Sequence, residues 1–229
     1  MFDLTAWKEA FLKMTGALFG ARVVCAGLQG SRARGEARED SDIDTVLILD
    51  ELSAQDLTAY RAGLKTLPHA ELACGFVSGK KELAAWEPSE LISFYFDTVP
   101  LSGDLEFIRP ALTRQAARRA VLSGACGVYH ACCHSALFGG AAELPALRKP
   151  VFFTLRVKFF AETGVFTVRE TDLLPLLDET DRNICGLFSR PAEKTENEAF
   201  LAEAADLLLR WSGGLITRYG GAEPAGKRN

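Results

Sequence analysis

The stretch GLQGSRARGEAREDSDIDTVLIL, residues 27–49, decides how this chain is read. An apolar run, ARVVCAGL at 21–28, reads as a buried strand that ends at the turn signal Gln29-Gly30-Ser31. Glycine lets a backbone approach a ligand closely, and a short helix starting there would direct free N–H groups at an anion. Asp42 and Asp44 open the next apolar, β-branched run, IDTVLILD at 43–50. Residues i and i+2 of a strand share a face, so the two carboxylates project together. Like charges held that close repel unless a cation lies between them, and Mg²⁺ takes such a pair together with phosphate oxygens and water. An anion cradle beside a metal-binding carboxylate pair suits phosphoryl or nucleotidyl transfer.

Upstream, Leu4, Trp7, Phe11, Met14 and Leu18 recur at steps of three and four, which predicts a helix over 3–19 with Asp3 as its cap and Gly20 as its stop. Downstream, Ser53 reads as the N-cap of a helix to about Lys65, AELACGFVS at 70–78 as a third strand, and 79–86 as a short helix. Beyond about residue 110 the strand patterns give way to helical ones. Pro110 is expected to open a helix through Ala111–Leu137, Pro150 stands in the first turn of a helix ending at Gly164, and Phe200, Ala204, Leu207, Leu208, Trp211 and Leu215 mark a last one over 195–219. The fold class is therefore α+β. A small mixed β-sheet domain with helices spans 1–105, an all-helical bundle spans 106–221, and 222–229 is expected to fray, with the Pro/Gly-rich segment Pro100–Pro110 as the boundary.

Composition sets the outer limits. The chain has 229 residues, 48% hydrophobic and 24% charged, enough apolar material for a sizeable core. A net charge of −4 gives no broad basic surface for nucleic acid. The N-terminal MFDLTAWKEAF has no compact apolar region, so no signal peptide and no membrane association are expected. The six cysteines, scattered and without a CxxC pair, fit small buried residues in a reducing cytoplasm.

The pattern Gly30-Ser31, ten residues, then Asp42-Ile43-Asp44 resembles the signature of the polymerase-β-like nucleotidyltransferase superfamily. The fuller string GSRARGEAREDSDID is similar to its small prokaryotic branch, the minimal and kanamycin-type enzymes. The resemblance implies that Gly30 and Ser31 bind the nucleotide β/γ-phosphates and that Asp42 and Asp44 ligate Mg²⁺, with room for two ions. It also implies a third carboxylate on a neighbouring strand. Glu71, at the start of the third strand, is the choice for that role, with Asp97 and Asp104 in reserve. In such a site Asp42 and Asp44 hold the metal and Glu71 orients or deprotonates the acceptor hydroxyl. Arg34, and Lys149 in the helical half, are the cations expected on the triphosphate, with Arg32, Arg38 and Lys158 as further candidates.

The expected reaction moves a nucleoside monophosphate from an NTP to an acceptor hydroxyl and releases pyrophosphate. A small molecule or a protein fits as acceptor better than nucleic acid, given the acidic chain. The alternative is a catalytically inactive nucleotide-binding or partner-regulating module on the same fold. His130 and His134 stand at i and i+4 with no glutamate between them, a weak metal motif more readily explained by helix packing.

Overall fold

A computed structural model describes residues 3–138, 145–189 and 198–221. The expected frayed tail at 222–229 lies outside them. The chain divides into two compact units, one ending at Leu112 and one beginning at Thr113.

The N-terminal unit is built on four strands: β1 (Val23–Leu28), β2 (Ile43–Leu49), β3 (Ala73–Gly79) and β4 (Val99–Gly103). Their order is β3-β2-β1-β4, with β2–β3 parallel and both pairs made by β1 antiparallel, so the sheet is mixed. Strand β4 was not anticipated. Pro100 lies within it, which is tolerated because β4 is an edge strand whose one neighbour is β1.

Alternation along β2 sends its side chains to two cores. Ile43, Leu47 and Leu49 face α1 (Leu4–Phe19), through Trp7, Phe11 and Phe19, and α3 (Ala54–Leu64), through Tyr60. Val46 and Ile48 join Cys25, Leu83, Leu91, Leu105 and Ile108 on the other side. There α4 (Lys80–Ala84), α5 (Pro88–Asp97) and a 3₁₀ turn over Glu106–Ala111 cover the sheet. Both expected caps form. The Asp3 carboxylate accepts from Thr5 and Ala6 N–H, and Ser53 makes a capping box with Asp56. Trp7 is buried with its indole N–H satisfied by the Pro68 carbonyl at 2.8 Å. A side chain of that size contributes about 1.5–3 kcal/mol when buried.

The C-terminal unit is helical among its described residues. Its long helices are α6 (Arg114–Phe138), α7 (Arg148–Thr163) and α10 (Glu198–Gly220), with short α8 (Glu170–Leu173) and α9 (Glu179–Gly186) between the last two. Helix α6 packs against both α7 and α10. By length and composition α6 could cross a bilayer. Here Ala117, Val121, Ala125, Val128 and Cys132 form a buried stripe at helical spacing, as in a bundle core. Pro110 does not open this helix. It lies in the preceding 3₁₀ turn, and the Thr113 hydroxyl caps the start of α6 through Ala116 N–H at 3.1 Å. His130 and His134 stand on the exposed side of α6 with ring centroids 6.4 Å apart. All six cysteines are free, and the expectation that they are buried holds for Cys25, Cys132 and Cys185, whereas Cys74 and Cys126 are exposed and Cys133 is intermediate.

Candidate active site

The C-terminal end of β1 and the N-terminal ends of β2, β3 and β4 share one edge of the sheet, because Leu28 pairs with both Thr45 and Val99, and Thr45 with Gly75. The signature residues lie at this edge. One residue past β1 the Gln29 N–H donates to the Asp44 carbonyl at 2.8 Å, and the chain turns at once into α2 (Gly30–Arg34). The Gln29 side chain does not cap α2. Its amide donates to the Phe94 carbonyl at 3.2 Å and to the Thr98 hydroxyl at 2.7 Å, tying the turn to the end of α5.

Gly30 has φ +70, and a Cβ there would overlap Asp44 Oδ2 and lie 2.7 Å from Asp44 Cγ. The position demands glycine twice, for its backbone conformation and for the closeness of the carboxylate. The Gly-Ser turn and Asp44 are thus brought into contact. Asp42, two residues earlier, is exposed, and Asp44 is half-buried. Neither carboxylate has a hydrogen bond or ion pair among the described residues, and neither does the Ser31 hydroxyl. Asp56, in contrast, is held by Arg22 at 2.8 Å, and its carboxyl lies well below the usual range because Arg22 and Ser53 donate to it. The oxygen donors at the edge are uncommitted and hard, which is what Mg²⁺ requires.

Below Asp44 the edge is rigid. The buried Tyr60 hydroxyl donates to Thr45 Oγ1 at 3.0 Å, and Thr45 donates to the Cys74 carbonyl at 2.8 Å. Gly75, at φ +149, lies so close that a Cβ would be 2.7 Å from Thr45 N. Cys74 consequently stands beside Asp44 in the parallel register.

Glu71 is not in β3. It sits in a 3₁₀ turn, Ala70–Leu72, that precedes the strand, its side chain 72% exposed and 3.6 Å from His69. Among the described residues no three His, Cys, Asp or Glu side chains are grouped to hold a metal, so Asp42, Asp44 and Glu71 do not form a closed three-ligand set. The reserves separate. Asp97 ends α5 two residues before Val99, at the site edge, whereas Asp104 follows Gly103, which pairs with Cys25 at the far end of β1.

The arginines divide as well. Arg34 is half-buried and paired with Glu36 at 2.7 Å, and Arg38 is exposed beside Asp40. Arg32 is 6% exposed and its guanidinium donates to main-chain carbonyls of Glu39, Ser41 and Asp42. In the helical unit Lys149 is exposed in the first turn of α7, 5.7 Å from the Phe153 ring. Lys158 is buried, its ammonium 2.6 Å from Asp181, 3.3 Å from Glu162 and 3.6 Å from Asp178. That cation is committed inside its own unit.

A family model described as a nucleotidyltransferase domain matches residues 9–99, from within α1 to the first residue of β4. Among solved structures the chain is similar to a spectinomycin adenyltransferase from Enterococcus faecialis, determined with ATP and spectinomycin. The TM-score is 0.52 at 11% identity, over 96% of this chain and 100% of that one, a likeness of fold. No curated protein matches the chain.

Proposed function

We propose that this chain, whose residues 9–99 match a nucleotidyltransferase domain, is an enzyme of the polymerase-β-like kind that transfers a nucleoside monophosphate from an NTP to a hydroxyl of a small-molecule or protein acceptor and releases pyrophosphate. The observation that carries this reading is the closeness of Gly30 to the Asp44 carboxylate, at the start of a helix whose first turn has no side-chain cap. A phosphate cradle and a metal-binding carboxylate then share one sheet edge.

In this reading Asp42 and Asp44 would hold Mg²⁺, which when bound would offset the negative charge on the oxygens of the transferring group and of the leaving pyrophosphate. Gly30 and Ser31 hold the β- and γ-phosphates with backbone N–H groups and the Ser31 hydroxyl. Arg34 is the cation assigned to the triphosphate, by exchanging its bond to Glu36. Glu71, exposed and one strand away from Asp44, accepts the proton of the acceptor hydroxyl. The ATP and spectinomycin of the structural neighbour support ATP as donor and a small molecule as acceptor.

A second reading, nucleotide binding without transfer, is favoured by one observation: among the described residues no third carboxylate is grouped with Asp42 and Asp44. The deciding experiment is Mg²⁺-dependent pyrophosphate release with each NTP and a panel of hydroxylated acceptors, beside the Asp44→Asn variant. Release that needs acceptor, metal and Asp44 supports transfer. Metal-dependent NTP binding with no release against any acceptor supports the second reading.

A further inference from the structure

Arginine is seldom buried unless its donors are taken up. Arg32 is buried, and four bonds described for its guanidinium go to one short piece of main chain. Its Nε–H donates to the carbonyls of Ser41 at 3.0 Å and Asp42 at 3.2 Å, and Nη2 donates to Ser41 at 2.6 Å and Glu39 at 3.0 Å. These bonds occupy one whole edge of the planar fork.

The piece of chain so held is the end of the connection between α2 and β2. From Gly35 to Asp42 there is no helix or strand. The loop has local bonds of its own. Glu36 N–H donates to the Ser31 carbonyl at 2.9 Å, Arg38 N–H to the Ser41 hydroxyl at 2.9 Å, and Ser41 N–H to the Arg38 carbonyl at 3.2 Å. The first ties the loop's start to α2, and the other two close a turn on itself. Of the bonds described, those from Arg32 are the ones that fasten residues 39–42 back to α2. Asp44 is referenced to the same place by the Gln29 N–H on its carbonyl and by its contact with Gly30. Both carboxylates therefore take their position from residues 29–32.

We propose that Arg32 is a positioning residue. It sets the Asp42 carboxylate beside Asp44 by clamping the main chain of residues 39–42 to α2, and it is not a phosphate ligand. This rests on the reading of Asp42 and Asp44 as the metal pair. A guanidinium can span three carbonyls because its donors are fixed in one plane. An ammonium on a shorter reach cannot, so lysine is not a conservative replacement here. Groups that orient metal ligands typically change metal affinity by about 10–100-fold when removed.

The test uses the full chain and its Arg32→Lys and Arg32→Met variants, with Mn²⁺ as the probe. Three quantities are read: Mn²⁺ affinity without nucleotide by electron paramagnetic resonance, amide hydrogen exchange at residues 40–44, and NTP affinity at saturating metal. The clamp predicts Mn²⁺ affinity weakened by about tenfold or more, as for lost second-layer support, together with faster exchange at 40–44 and unchanged NTP affinity. Arg32→Lys should fall between wild type and Arg32→Met. Unchanged Mn²⁺ affinity and unchanged exchange in a folded variant overturn the proposal. So does weakened NTP affinity with unchanged Mn²⁺ affinity, which would make Arg32 a phosphate contact. Wild-type chain that binds no Mn²⁺ even with NTP present sinks the nucleotidyl-transfer reading instead, and exchange at 40–44 still decides whether the clamp exists. If neither variant folds, the wild-type Arg32 Nε–H resonance decides. Slow exchange of that proton with water supports the clamp, and exchange as fast as at the exposed Arg38 overturns it.

Discussion

Gly30 and Asp44 are so close that no other residue fits at position 30 without displacing the carboxylate: a Cβ would lie 2.7 Å from Asp44 Cγ. Gly30→Ala therefore carries two separable costs. The positive φ costs roughly 1–2 kcal/mol for a residue with a Cβ, and the overlap with Asp44 adds to it. In an Asp44→Ala background the overlap disappears and the backbone cost remains. Urea unfolding of the four members of this cycle should show Gly30→Ala destabilising the wild-type chain more than the Asp44→Ala chain. Equal costs in both backgrounds would mean that the two residues do not touch.

Asp42→Asn and Asp44→Asn should each abolish transfer and leave the fold intact. Neither carboxylate accepts a hydrogen bond from a described residue, so neutralising it orphans no buried donor. Without metal the paired charges repel, and removing one relieves that repulsion. Loss of a single electrostatic element of this kind commonly lowers kcat by about 10²–10³. The check is melting temperature without metal beside single-turnover rate with Mg²⁺. Variants that melt well below wild type yet keep a near-normal rate per folded molecule would make the aspartates structural.

The elements legible in the sequence are those specified locally. Asp3 and Ser53 announce their helices because a cap is a matter of three residues, and β1 and β2 announce themselves as apolar runs. Gly30, Asp42 and Asp44 were legible for the same reason, since a turn followed by an i, i+2 carboxylate pair needs no tertiary information. Strand β4 was not, because VPLSG is short, lacks alternation and carries a proline that only an edge position excuses. Glu71 was placed in β3 from its composition, but the 3₁₀ turn before Ala73 breaks the period of two, so its face cannot be counted from Cys74. Arg32 and Arg34 are indistinguishable by type. Which one turns under a five-residue helix depends on where the loop at 39–42 returns, and only the folded chain shows that. Lys158 has its partner Asp181 on another helix, a pairing no local pattern contains.

Lys158 and Asp181 form the polar centre of the helical unit. Asp181 accepts from Lys158 at 2.6 Å and from the Trp211 indole at 2.9 Å, joining α7, α9 and α10. Lys158→Met would leave the Asp181 charge buried without its cation, an error that costs about 3–5 kcal/mol. Asp181→Asn should cost less, because the amide oxygen can still accept from Trp211 and the Lys158 ammonium keeps the carboxylates of Glu162 at 3.3 Å and Asp178 at 3.6 Å. Burial by itself would lower the Lys158 pKa, but the hydrogen bond and charge of Asp181, helped by Glu162, outweigh it and raise it. A raised folded-state pKa gives stability that is fully present below the unfolded value of about 10.4 and is lost as pH rises through the folded value. Stability of the wild-type chain should accordingly fall more steeply above that pH than stability of Lys158→Met. Parallel alkaline unfolding curves for the two would show that the pair contributes nothing.

The third carboxylate is decided by comparing Glu71→Gln, Asp97→Asn and Asp104→Asn. Glu71 precedes the strand that is parallel to β2 and neighbours it directly, whereas Asp97 is separated from β2 by the width of β1. Asp104 lies at the opposite end of β1 and serves as the control. Glu71 is exposed, with His69 as its ion-pair neighbour at 3.6 Å, so its replacement should change stability by no more than about 0.5 kcal/mol. Removing a general base costs on the order of 10²–10⁴ in rate. Glu71→Gln should then lose transfer at the level of kcat, with an unchanged melting temperature. Asp104→Asn should behave as wild type in both measurements. Full activity in Glu71→Gln together with lost activity in Asp97→Asn would move the role to the end of α5, where Thr98 already meets Gln29. That outcome would also imply that the acceptor hydroxyl approaches from the β1–β4 side of the edge rather than from β3.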